Sequence, residues 1–103
     1  MEHRYALHGD VDLAVEEQVR RELDEIVATP DVHLLIDCSD VTFMDSTGIR
    51  LIVTTHLALE DQGRHLLVVN MPPNLRRPFE LLGVDHLFRY DRDAIDPELE
   101  PSN

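Results

Sequence analysis

His33-Leu34-Leu35-Ile36-Asp37 and, three residues on, Val41-Thr42-Phe43-Met44-Asp45-Ser46-Thr47-Gly48-Ile49 form the stretch in which the chain changes period. Residues 33–37 are apolar almost without alternation, the pattern of a strand covered on both faces. Residues 41–44 read as a short extended segment. From Ser46 the spacing lengthens. Ile49, Ile52, Val53 and Leu57 fall on one side of a 3.6-residue helix, and Leu51, Ala58 and Leu59 widen that side. This helix is expected over residues 46–62, with Gly63 as the left-handed residue that ends it. A buried strand feeding a helix is the repeating half of an α/β layer structure.

The flanks repeat the half-unit. Residues 4–8 are expected to form a short strand, Tyr5 and Leu7 alternating with polar neighbours. Residues 9–12 turn the chain into a helix over residues 13–28, whose apolar face is Val15, Val19, Leu23, Ile26 and Val27. Asp12 is placed as its N-cap, Glu16 and Glu17 lie near its positive end, and Thr29-Pro30-Asp31 stops it. On the other side, residues 65–70 read as a second buried strand. Pro72-Pro73-Asn74 breaks the chain, and a third helix reaches Leu82 and ends at Gly83. Pro78 is tolerable only in a first turn, which places the start of that helix later than Asn74. Residues 87–90 are expected to add a last edge strand. The fold expected is a single α/β domain over residues 1–90, with helices packed on a small mixed, largely parallel sheet joined by right-handed crossovers. Residues 91–103 are acidic, hold Pro97 and Pro101, and are expected to fray.

Composition narrows the function. At 103 residues and 43% hydrophobic, the chain can bury one core. Its single cysteine, Cys38, cannot form an internal disulfide, which suits a reducing compartment. No stretch approaches the roughly 20 apolar residues of a membrane span, and no leader pattern opens the chain. A cytoplasmic location without membrane insertion is expected. The net charge of −12 opposes binding to nucleic acid or anionic lipid; it suits a basic protein partner, although charge alone points first to a solvated acidic surface with no recognition role. A monomer or weak dimer is expected.

Catalytic patterns are missing. The four glycines make no phosphate-binding loop, no two of the six histidines stand four apart on an expected helix, and Cys38 has no companion at metal-ligand spacing. Neither cofactor nor metal is expected. Asp45-Ser46-Thr47-Gly48 is not a nucleophile elbow, and no histidine is placed to serve Ser46 as a base. The same tetrapeptide opens a helix whose first N–H groups are unpaired and whose dipole is positive. A phosphate on the Ser46 hydroxyl would be tolerated there without unfolding the domain. Asp45 can cap that end, and Gly48 leaves room for another molecule's backbone. Taken alone, the tetrapeptide reads more readily as an ordinary capped turn, since such caps are common.

The longer pattern resembles a known family. Residues 41–49 look like the signature of STAS domains, specifically bacterial anti-sigma factor antagonists. Leu7-His8-Gly9-Asp10-Val11-Asp12-Leu13 is similar to the turn before that family's first helix. Leu34-Leu35-Ile36-Asp37 matches its central strand, and Phe79-Glu80-Leu81-Leu82-Gly83-Val84 its last helix. The resemblance implies no enzyme but a regulator. Such an antagonist binds an anti-sigma factor that is a kinase of the GHKL type, is phosphorylated on the serine after the motif aspartate, and is reset by a phosphatase. Carried onto this chain, it implies Ser46 as acceptor, with Thr47 as its neighbouring rival. It implies Asp12 as the acidic residue that meets the kinase, and Asp45, Thr47, Gly48 and Ile49 on the contact surface. The alternative within the family is an unphosphorylated interaction module in a lipid-transport or nucleotide-sensing assembly. Three features depart from the pattern. Only eight residues precede Gly9, so the family's first strand is missing or shortened, Arg50 stands where a small residue is usual, and Pro78 lies in the last helix.

Overall fold

The computed structural model describes residues 2–81 and residue 83. The chain runs β1 (Glu2–Val11), one turn of 3-10 helix (Leu13–Val15), α1 (Glu16–Val27), β2 (His33–Met44), α2 (Ser46–Glu60), β3 (Leu66–Val69) and α3 (Pro73–Leu81). The strands lie in the order β1-β2-β3, and both pairings are parallel. Consecutive parallel strands require crossovers, which α1 and α2 supply. Leu7, Val11, Leu34, Ile36, Cys38, Leu66 and Val68 share one core with Val19, Leu23 and Ile26 of α1, Ile49, Ile52 and Leu59 of α2, and Leu75 and Phe79 of α3. Leu35 and Val69, on the opposite sheet face by alternation, are buried as well, which is why residues 33–37 show no apolar alternation.

The structure corrects several expectations, among them the first strand, which runs over Glu2–Val11 rather than residues 4–8. Residues 41–44 are not a separate segment, because β2 is one twelve-residue strand. Irregularities between Ala6 and His8 and between Gly9 and Asp10 keep β1 paired with it as far as Val11 opposite Met44. The helix expected from Leu13 begins as a 3-10 turn capped by Asp12, and α1 proper starts at Glu16. On α2 the buried residues are Gly48, Ile49, Leu51, Ile52, Thr55, His56 and Leu59. Leu57 is half exposed, since it lies about 140° round the helix from Ile52. His56 is thereby an inward residue. Pro78 sits inside α3, which opens at Pro73. The cost of an interior proline, about 3 kcal/mol, is offset by burying Leu75 and Phe79, each worth roughly 1.5–3 kcal/mol. The expected strand at residues 87–90 and the tail at 91–103 lie outside the described residues.

Two polar groups fasten the sheet. Asp37 Oδ2 accepts from Arg4 Nη2 at 2.6 Å, while Oδ1 accepts from Ser39 N–H at 3.0 Å and from Asn70 Nδ2 at 3.1 Å. One carboxylate therefore joins β1, β2 and the exit of β3. Burial pushes its proton affinity up, but those hydrogen bonds together outweigh burial and hold the carboxyl well below the usual carboxylate range. A depressed folded pKa contributes stability above the unfolded value, about 3.9, and the contribution disappears as pH falls below it toward the folded one. Asp37→Asn is expected to flatten the acid limb of stability, read as the urea midpoint between about pH 5 and 2. An acid limb of unchanged slope would count against the account.

The second group is Arg64, only 6% exposed. Its Nη1 donates to Thr29 O at 2.6 Å and Val32 O at 3.1 Å, and its Nη2 donates to Val27 O and Gln62 Oε1. The planar fork closes the carboxyl end of α1, where helix carbonyls lack intrahelical partners and the dipole favours a cation.

Candidate partner-docking site

β2 ends at Met44, and Asp45, with extended backbone, caps α2: its Oδ1 accepts from Thr47 N–H at 2.8 Å. The cap leaves Ser46 as the first residue of α2, exposed, with Thr47 half-buried behind it. β1 ends beside this turn. Val11 pairs with Met44, and Asp45 N–H donates to Val11 O at 3.4 Å. Asp12 follows directly and accepts from Ala14 N–H through Oδ1 at 3.1 Å. Register thus brings the Asp12 turn and the Ser46 turn to one end of the sheet. Thr42 Oγ1 donating to Asp10 Oδ1 at 2.8 Å fastens the two strands just before it. Leu13 and Phe43, 73% and 49% exposed, add apolar surface at the strand ends. Sequence reading gave neither residue a role; their signal is an apolar side chain beside a turn residue.

Gly48 has a different role from the one its small size suggested. A Cβ there would lie 2.5 Å from Met44 Cγ, 2.9 Å from Val11 Cγ1 and 3.1 Å from Val11 O. Its vacancy is used by this chain's own sheet, so that α2 can start hard against the end of β1. Ile49 is also buried, at 6% exposure. Both set the position of the turn from below, while Asp12, Asp45, Ser46 and Thr47 are at least partly exposed. Gly48→Ala is expected to lose about 1–3 kcal/mol in urea unfolding, although alanine is the better helix former by about 1 kcal/mol. A gain in stability would show that the contact with Val11 and Met44 is not tight.

Ser46 has no histidine beside it on its own helix. His56, the histidine on the same helix, is about 15 Å along the axis and faces the core. Among the described residues no group of three or more His, Cys, Asp or Glu side chains is placed to hold a metal ion, and no helix is long and apolar enough to cross a membrane.

Comparison with known proteins agrees with the geometry. The anti-sigma-F factor antagonist RsfB of Mycobacterium tuberculosis is 31% identical over 84 residues, covering 82% of this chain and 68% of RsfB. The structure of an anti-sigma factor antagonist from Mycobacterium paratuberculosis superposes with a TM-score of 0.77 at 28% identity, over 86% of this chain and 76% of that one. The Bacillus cell fate determinant SpoIIAA in its phosphorylated form shares the fold, with a TM-score of 0.70 at 23% identity over 94% and 90% of the two chains. The family model described as STAS domain matches residues 4–100. With its strand-to-helix turn at Ser46 set against the Asp12 turn, this chain belongs to the STAS domain family.

Proposed function

We propose that the chain is an anti-sigma factor antagonist of the bacterial cytoplasm. It binds an anti-sigma factor that is a GHKL-type kinase and is switched off when that kinase phosphorylates Ser46, until a phosphatase resets it. The observation that carries this reading is the exposed Ser46 at the first position of α2, on the end of the sheet that also presents Asp12. The names of its relatives, and the phosphorylated form of SpoIIAA, support the same role. The chain's part is that of a substrate and binding partner, not a catalyst. Helix α2 accepts the modification because its amino end favours negative charge.

Two experiments bear on it. Incubation with the cognate kinase and ATP, followed by mass spectrometry, is expected to place one phosphate on Ser46. Thr47 is the rival, but it is half-buried and its N–H is bound by Asp45. Phosphate on Thr47 alone would move the site, and phosphate on neither would favour an unmodified interaction module. Asp12→Asn keeps an oxygen to cap Ala14 and removes the charge. It is expected to weaken kinase binding by about 1–3 kcal/mol in titration calorimetry. Unchanged affinity would remove Asp12 from the contact.

A further inference from the structure

Arg50 stands four residues after Ser46 on α2, and both are exposed. Residues at that spacing are neighbours on a helix surface. The other residues three or four away from Arg50 are Thr47, Val53 and Thr54, none of them a carboxylate. Among the described residues Arg50 makes no ion pair. The two arginines of α1 behave otherwise. Arg20 Nη1 lies 3.4 Å from Glu16 Oε2, and Arg21 Nη2 lies 3.7 Å from Glu17 Oε2, each pairing with an acid one turn before it. On α2 the same arrangement exists with a hydroxyl in the place of the acid.

We propose that Arg50 is the built-in partner of a phosphate on Ser46, clamping it along the solvent face of α2. The inference rests on the reading of Ser46 as a phosphorylation site and adds how the modified state is held. An acidic group one turn before a basic one is the favourable order along a helix, since each charge also suits its end of the dipole. A phosphoserine offers three acceptor oxygens and up to two negative charges to the donors of a guanidinium. The pair cancels about one of those charges and draws the phosphate along α2, away from the carboxylates of Asp45 and Asp12 at the sheet end. The phosphorylated surface then differs from the bare one by a fixed, partly neutralised group.

The test needs no kinase. Phosphoserine is installed at position 46 during translation, in the otherwise unchanged chain and in Arg50→Gln, and each phosphate is titrated by phosphorus NMR. Asp45 and Asp12 act on both samples alike, so the difference reports Arg50. The second phosphate pKa is expected to be lower with Arg50 present, by about 0.3 units or more. Coincident titration curves, or a lower value in Arg50→Gln, would overturn the clamp and leave the site assignment standing. Failure of the kinase to modify Ser46 would remove the functional reading and leave the pair to be judged by this titration alone.

Discussion

Arg64→Ala is expected to lower the free energy of unfolding by about 3 kcal/mol. The side chain is 6% exposed and its fork serves the carbonyls of Val27, Thr29 and Val32. Removing it strands acceptors that charged donors had satisfied, at about 1–3 kcal/mol for each group kept from water. Thr29 is exposed and regains water, whereas the bond to Val32 is buried, so the full sum of three is not expected. A domain of this size has about 5–15 kcal/mol in total, so the variant should remain folded at room temperature but melt much earlier. Arg64→Lys keeps the charge and loses the planar fork, and an intermediate loss is expected. Urea unfolding followed by circular dichroism measures all three proteins. A midpoint for Arg64→Ala equal to that of the unaltered chain would show that the fork is incidental.

Nothing around Arg64 in the sequence announces this. It follows Gly63 in a polar turn, and the backbone carbonyls it serves lie more than thirty residues away. The parts of the fold that were legible are those whose signal is local. The helical spacing of Val19, Leu23 and Ile26 gives α1 its buried face, and the apolar runs around Ile36 and Val68 mark β2 and β3. β2 was read too short because Ser39 and Asp40 interrupt the apolar run. What carries the strand past them is pairing with β1 through two irregularities, a tertiary event. Leu57 is apolar but lies outside the arc of α2 that meets the sheet, and apolar identity alone does not show which arc that is. At the candidate site, the capping aspartate and the exposed serine were readable from four residues. Gly48 was not, because the atoms that occupy its missing Cβ belong to Met44 and to Val11, far earlier in the chain. Arg50, without an ion pair among the described residues, is informative only beside the paired arginines of α1.

Phosphorylation of Ser46 is expected to weaken binding to the anti-sigma kinase by about 100-fold, or ~2.7 kcal/mol. The loss has to arise at the interface rather than from unfolding. Ser46 is the first residue of α2, its neighbour Asp45 already caps the helix, and negative charge at that end is stabilising. What phosphate brings to the contact is bulk and roughly two negative charges on a surface that also presents Asp12 and Asp45. A kinase face shaped and charged to receive a bare hydroxyl there must either move or leave the phosphate poorly paired, which is sufficient for a loss of this size. Ser46→Ala should bind like the unmodified chain and accept no phosphate at that position. Ser46→Asp should bind poorly, though less poorly than the phosphoprotein, since it carries a single charge and fewer acceptor atoms.

The most direct measurement compares the unmodified chain with the chain carrying phosphoserine at position 46, titrated into the same cognate GHKL-type kinase by calorimetry, with circular dichroism of both chains alongside. The expected result is two superimposable spectra and a dissociation constant about 100-fold larger for the phosphorylated chain. Equal affinities with equal spectra would contradict the switch, and a phosphorylated chain that binds weakly because its spectrum has collapsed would contradict the placement of Ser46 at a charge-tolerant helix start.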